Sequence, residues 1–273
     1  MKLFSSDADS DLIVIAEIGL NHEGSLKTAL NMIKQASACG VHAVKFQSFT
    51  PEKYASSSNI ERLERVKKFS LSKDDHEVLA NFAHELGVGF FSTPLSEDWV
   101  ETLATLGGAI KIASGDIDFE PVIVSAANTN LPIILSTGCS DASEVDKAVQ
   151  LISGIRGTEE TAKSLALMHC VSQYPANLED CNLNSIKFMA DRYGLAVGWS
   201  NHVVGPMACY AAVGVGAKII EVHVTDKKEG REFRDHEMSF DFDELRILTK
   251  NLHGLQSALG TVSKQPTRSE LPI

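Results

Sequence analysis

The sequence predicts a single closed (β/α)8 barrel, and three observations carry that expectation. Short apolar runs alternate with helix-length segments eight times between Leu12 and Leu259. No break in composition divides the chain, and 273 residues is a size at which such barrels run as one unit. Polar side chains recur in or just after the C-terminal half of successive apolar runs, the end where barrel enzymes place their chemistry. On this reading residues 1–260 form the barrel and 261–273 a C-terminal tail. An open doubly wound sheet would need a glycine fingerprint after its first strand. Gly19-Leu-Asn-His-Glu-Gly24 lacks the GxGxxG spacing, and Gly214-Val-Gly216 precedes a strand instead of following one.

Taken in order, Leu12–Gly19 is a run apolar on both faces except for Glu17, the pattern of a strand in a parallel sheet. Leu26–Ser37 has helical periodicity, and the second strand, Ala43–Gln47, carries Lys45 in its apolar interior. The polar stretch Ser48–Leu71 reads as a lid or substrate-binding loop, with Ile60–Phe69 able to form a helix. Lys73–Leu86 is a helix closed by Gly87, and Val88–Pro94 a strand ending in Ser92 and Thr93. Helix Glu97–Leu106 leads to strand Ala109–Gly115, which holds Lys111 and Ser114. Helix Phe119–Ala127 leads to strand Pro132–Gly138, which ends in Ser136 and Gly138. Helix Ser143–Ile155 precedes strand Leu165–Ser172, and Gln173-Tyr174-Pro175 follows it. Helix Leu183–Arg192, strand Ala196–His202, a helix-length Gly205–Gly216, strand Ala217–His223 and helix Asp243–Leu259 complete the eight units.

Composition bounds the function. Hydrophobic residues make up 44%, enough for a sizeable core. Lys and Arg total 25 against 36 Asp and Glu, a net charge of −11 that opposes binding to nucleic acid or to an anionic membrane surface. Cys39, Cys139, Cys170, Cys181 and Cys209 show neither CxxC nor CxH spacing, and an odd number argues against a disulfide framework. Met1–Asp11 is polar without an apolar signal core, and no run approaches a membrane span, so a cytoplasmic protein is expected.

The two last strands end in His202 and His223. A right-handed crossover leaves such strands parallel, so both imidazoles reach one rim, with Asp235 and His236 in the next loop. Two imidazoles at one rim suggest a divalent metal acting as a Lewis acid on a carbonyl. Lys45 and Lys111, several serine and threonine hydroxyls and the Gly115 and Gly138 amides make an anion cradle, unless the lysines pair with Glu17 and Glu221 as a structural network. A phosphorylated or carboxylated small molecule fits the cradle. Carbon–carbon bond formation between an anionic enol and an aldehyde is the chemistry this set favours.

Ala16–Gly24, Ala43–Gln47, Phe91–Pro94, Lys111–Asp116, Leu135–Gly138, His169–Pro175, Gly198–His202 and Glu221–His223 together resemble the sialic acid synthase (N-acetylneuraminate synthase) family, in order and over nearly the whole chain. The resemblance implies condensation of phosphoenolpyruvate with an N-acetylated amino sugar such as N-acetylmannosamine, forming a nonulosonic acid and releasing phosphate. It implies a divalent metal, Mn²⁺ with Mg²⁺ or Co²⁺ as substitutes, held by His202 and His223. Lys45, Thr93, Lys111, Ser114, Ser136, Ser172 and Ser200 would hold phosphoenolpyruvate. Glu17, Gln47, Asn59, Tyr174 and Asp235 would face the sugar, with Glu17 as the general acid–base group. The sequence departs from the family pattern at Asn201, where Asp is usual, and at Ser172, where Asn is frequent. The family's C-terminal antifreeze-like domain, whose arginine binds the sugar's amide in the partner subunit, is not expected within residues 1–273, and a homodimer is left open. The alternatives are a 3-deoxy-aldulosonate phosphate synthase or metal-dependent aldolase, which often use a strand-borne Cys ligand, and a non-catalytic binding protein derived from the barrel.

Overall fold

Eight parallel strands close into a barrel in a computed structural model that describes residues 1–8, 10–231 and 233–271. They are β1 (Ile13–Gly19), β2 (Ala43–Ser48), β3 (Gly89–Pro94), β4 (Ile110–Ile112), β5 (Ile133–Ser136), β6 (Leu165–Cys170), β7 (Ala196–Asn201) and β8 (Ile219–His223). Each pairs with its neighbours in sequence, and β8 returns to β1 with His223 opposite Glu17. The (β/α)8 expectation is met.

Around the barrel run α1 (Leu26–Ser37), α2 (Pro51–Tyr54), α3 (Ile60–Phe69), α4 (Lys73–Glu85), α5 (Val100–Leu106), α6 (Glu120–Ala127), α7 (Ala142–Arg156), α8 (Thr158–Ser164), α9 (Asn184–Tyr193), α10 (Met207–Gly214) and α11 (Phe242–Leu259). Capping boxes start three of them: Ser72 with Asp75, Asp141 with Glu144 and Asp241 with Glu244 satisfy the first orphan amides of α4, α7 and α11. The polar stretch after β2 is mostly helical, as α2 and α3. Two elements escaped the sequence reading. The helix α8 is polar and buries only Thr161 and Ser164, so it has no apolar periodicity to announce it. At the N-terminus Lys2–Leu3 and Ser6–Asp7 form a small hairpin that plugs the barrel bottom, where Met1, Leu3 and Phe4 pack against Ile13, Ile15 and Phe91. No helix among the described residues is long and apolar enough to cross a membrane.

Side chains alternate across each strand, and this parity positions the site. Val14, Ala16 and Ile18 of β1 face the helices, as do Val44 and Phe46 of β2, Ile110 and Ile112 of β4, and Ile220 and Val222 of β8. The opposite positions face the barrel axis. Near the strand N-termini they are apolar: Ile13, Ile15, Ala43, Phe91, Ile134, Ala166, Met168 and Ile219 form one cluster. One or two steps further along each strand they turn polar, as Glu17, Lys45, Thr93, Lys111, Ser136, Ser200 and Glu221. The barrel therefore has a dry lower plug and a polar upper layer.

Gly198 makes room in the lower layer, since a Cβ there would lie 2.5 Å from the Ile219 carbonyl oxygen and from Met168 Sδ. Gly198→Ala is expected to destabilise the fold by about 2 kcal/mol through overpacking, read as a lower urea midpoint at unchanged slope.

Candidate active site

The upper layer lines a cavity of about 790 Å³ at the C-terminal end of the strands. Its floor holds four charges, each at most 3% exposed: Glu17, Lys45, Lys111 and Glu221. Lys45 Nζ lies 2.9 Å from Glu17 Oε1 and 3.5 Å from Glu221 Oε1. Lys111 donates to both Glu221 oxygens, at 3.0 and 2.9 Å. Ser200 Oγ donates to Glu221 Oε1 at 3.0 Å, and Gln47 Nε2 to Glu17 Oε1 at 3.3 Å. Thr93 Oγ1 accepts from Lys45 at 3.3 Å. The structural pairing weighed from sequence is thus present, and the same lysines line the cavity.

The two carboxyls are not equivalent. Burial would raise both, but the Lys111 and Lys45 ammoniums outweigh it at Glu221 and hold that group at about 2. At Glu17 burial outweighs Lys45, the Glu221 charge adds to it, and the carboxyl is raised. Bonding orders them the same way: both Glu221 oxygens accept, whereas Glu17 Oε2 is buried without a hydrogen-bond partner. A proton entering the cluster therefore goes to Glu17. Burial favours the neutral amine of both lysines, but Glu17 and Glu221 overcome it at Lys45, which is raised, and not at Lys111, which is lowered.

Beside the charges stands a wall of small polar groups. Ser114 Oγ accepts from the Gly138 amide at 3.0 Å and lies 3.1 Å from Cys170 Sγ. A Cβ on Gly138 would fall 2.4 Å from Ser172 Oγ and 2.9 Å from Ser114 Oγ, so only glycine leaves this cradle open. Ser136 and Ser200 line the same cavity.

The two imidazoles meet as the strand endings imply, with ring centroids 5.5 Å apart. His202 Nδ1 donates to the Val171 carbonyl at 2.6 Å, which leaves Nε2 with its lone pair. His223 Nδ1 is buried without a hydrogen-bond partner and lies 3.6 Å from Asp235 Oδ2. Burial holds His202 down at about 4 and His223 well below its usual range, so both rings are neutral, the form that ligates. Among the described residues no group of three His, Cys, Asp or Glu side chains could hold an ion by itself. The pair fits a divalent metal that completes its shell with oxygen from outside the protein, as Mg²⁺- and Mn²⁺-type ions do. The Tyr174 ring stacks 4.1 Å from His202, and Arg234 lies 4.8 Å above Tyr174 and donates through Nε to Asp235 Oδ1 at 3.3 Å.

Asn59 is the sequence candidate the structure moves elsewhere. It is exposed, its Oδ1 accepts from the Arg62 amide at 3.0 Å, and it caps α3 outside the residues that line the cavity. The other candidates, from Glu17 to Asp235, all line the one cavity. Sequence reading assigned no site role to Arg62, Arg65, Asp116, Arg234 or Cys170, which line it too. Arg62, Arg65, Val66 and Phe69 stand at i, i+3, i+4 and i+7, a helical face legible in the sequence once α3 is allowed to turn toward the barrel.

The profile of the NeuB family matches residues 32–264. The chain is 36% identical to the N,N'-diacetyllegionaminic acid synthase of Legionella pneumophila, over 95% of this chain and 76% of that protein. It is also 36% identical to the N-acetylneuraminate-9-phosphate synthase of Drosophila melanogaster, over 90% and 68% of the two chains. The crystal structure of the N-acetylneuraminic acid synthetase of Leptospira borgpetersenii superposes with a TM-score of 0.89 at 33% identity, over 95% of this chain and 89% of that one. The chain belongs to the NeuB family.

Asn201 and Ser172, the two positions at which the resemblance was inexact, each make a defined contact. Asn201 Nδ2 donates to the Val203 carbonyl at 2.8 Å, a bond an aspartate could not make, and its Oδ1 accepts from Trp199 Nε1 at 3.1 Å. Ser172 keeps a hydroxyl directed at the Gly138 cradle.

Lys111→Met would leave Glu221 short of its closest partner and is expected to cost about 3 kcal/mol of stability. The double variant K111M/E221L removes both charges and should lose less than the sum of the single variants, a coupling read from urea unfolding of the four proteins.

Proposed function

We propose that this chain is a synthase that condenses phosphoenolpyruvate with an aldose, an N-acetylated amino sugar, to form a nonulosonic acid and inorganic phosphate. The observation that carries the reading is the single cavity lined at once by two neutral imidazoles, a lysine and hydroxyl cradle, and a buried carboxyl that burial raises above its ordinary range. The names of the family relatives support it. Residues 1–260 are the catalytic unit in this reading, and His202 and His223 are the protein's ligands to a divalent ion, Mn²⁺ by preference.

The ion, when bound, supplies Lewis acidity toward a carbonyl oxygen. The chain's own groups do the rest. Lys111, Ser114, Ser136, Ser172, Ser200 and the Gly138 amide hold the phosphate and carboxylate of the enol, with Lys45 and Thr93 beside them. Gln47, Tyr174 and Asp235 hold the open-chain sugar so that its aldehyde carbon faces C3 of the enol, which attacks it. Glu17 moves the proton. In its acid form, which burial favours, it donates to the oxygen of the former aldehyde; as a carboxylate it accepts a proton from the water that adds at C2. The phosphate then leaves by cleavage of the C–O bond. A metal-dependent aldulosonate synthase with a thiolate ligand is less well supported. Cys170 is the thiol in the cavity, it lies against Ser114, and burial pushes it up and keeps it protonated.

The direct test is phosphate release from phosphoenolpyruvate with a panel of aldoses and Mn²⁺; no release with any of them would overturn the reading. Chelation with EDTA should abolish turnover and added Mn²⁺ restore it. His202→Ala and His223→Ala should each weaken Mn²⁺ binding by about a hundredfold or more, measured by calorimetry without substrate. Glu17→Gln keeps shape but not proton exchange, and should lower kcat by about a hundredfold or more with phosphoenolpyruvate binding retained.

A further inference from the structure

Asn21, Glu23 and Gly24, in the turn that follows β1, do not line the cavity, yet their conformation is tightly specified. Glu23 and Gly24 both take left-handed angles, with φ of 49° and 79°, and a Cβ on Gly24 would collide with the Lys68 carbonyl. Glycine adopts such angles freely, whereas a glutamate keeps them only where its surroundings hold it there. The contacts that hold Glu23 come from the loop after β8. Its Oε1 accepts from the Phe233 amide at 3.3 Å and lies 3.4 Å from His236 Nε2. Its Oε2 lies 3.4 Å from Arg231, which also pairs with Asp226. His236 is buried, and its Nδ1 donates to Thr225 Oγ1 at 2.7 Å, because that hydroxyl gives its own proton to the Lys227 carbonyl.

Asn21 makes a second attachment to the same loop. It is fully buried, and its Nδ2 donates to the Val224 carbonyl at 2.8 Å and to Ser239 Oγ at 3.0 Å. Ser239 in turn donates to the Asp235 carbonyl at 2.6 Å. The turn after β1 thus grips the loop on both sides of Asp235, through Ser239 beyond it and through the Phe233 amide before it. Between the two grips Asp235 Oδ2 stands 3.6 Å from His223 Nδ1, and Phe233 packs against Phe69 with ring centroids 5.8 Å apart. Closing the barrel does not require these bonds, because β1 and β8 already pair in register from Ile13 with Ile219 to Glu17 with His223. An exposed ion pair would add little, but Asn21, His236 and Ser239 are buried, so the attachment is held in one geometry.

We propose that Asn21 and Glu23 are positioning residues that set the Asp235 carboxylate against the acceptor sugar, so that the strand bearing Glu17 also fixes the group that orients the aldehyde. This deepens the synthase reading and rests on it for the role of Asp235. Glu23→Asn separates positioning from stability, because asparagine tolerates the left-handed backbone but is too short and uncharged to hold Arg231. Its urea midpoint should equal or exceed that of the wild-type chain. Amide hydrogen exchange across residues 226–240 should nevertheless quicken by about tenfold or more, with β1 and β2 unaffected. With phosphoenolpyruvate, Mn²⁺ and N-acetylmannosamine, or whichever aldose of the panel releases phosphate, kcat/KM for the sugar should fall by about tenfold or more. KM for phosphoenolpyruvate and Mn²⁺ affinity should stay unchanged. Glu23→Gln, which keeps the reach without the charge, should lose less. Asp235→Asn should lose activity too, and E23N/D235N should be no worse than D235N alone, as two residues acting through one carboxylate require. Losses that multiply in full, a rise in KM for phosphoenolpyruvate, or unaltered exchange over 226–240 would overturn the positioning role while leaving the synthase reading intact. Faster exchange confined to that loop, without phosphate release from any aldose by the wild-type chain, would uphold the clasp and sink the synthase.

Discussion

Two carboxylates and two ammoniums held dry at the top of a barrel are the constraint on which the rest of this molecule depends. Each charge would cost several kcal/mol to bury alone, and the cluster persists because Glu17 meets Lys45, Glu221 meets Lys111, and Lys45 ties the two pairs together. The geometry that permits this is strand parity. Positions 17, 45, 111 and 221 lie on four strands, at the level where the inward face changes from apolar to polar. Moving any of these strands by one residue would turn its charge outward into the helices. The apolar plug below, closed by the N-terminal hairpin, keeps water from reaching the cluster from beneath.

The same burial acts in opposite directions on the two kinds of titratable group, and both outcomes serve the chemistry. It pushes Glu17 toward its protonated form and holds His202 and His223 in their neutral form. A group able to give up a proton then stands beside two rings able to bind a metal ion. Glu221 escapes this trend because two ammoniums face it, which makes it the fixed anion that anchors Lys111.

The roof is built differently from the floor. Helix α3 and the turn around Arg234 and Asp235 come from loops, and they bring aromatic and cationic side chains over the polar layer. The floor carries groups suited to a reaction common to a family, while the roof can change its charges without disturbing the barrel pairing.

Much of this was legible beforehand. Alternating apolar runs and helical segments named the barrel, and the end of each run carried the polar layer: Glu17, Lys45, Lys111, Ser136, His202 and His223 were all readable as strand-borne, because a two-residue period leaves few choices for which side chains share a face. The hairpin and α8 were not legible, since one has too few apolar residues and the other no periodicity at all. The family resemblance put Asn59, in the long loop, on the sugar side, and in the structure it caps α3 instead; likeness of motifs in a loop says nothing of which way a side chain points. By itself, then, the chain of amino acids determined the architecture and the rim at which its reactive groups gather, both being consequences of local hydrophobic period. Only the tertiary structure decided which lysine meets which carboxylate, that burial raises Glu17 while two ammoniums lower Glu221, and that two arginines are left unmatched over the cavity, because those depend on distances between residues as far apart as 111 and 221, across a space that no local pattern measures.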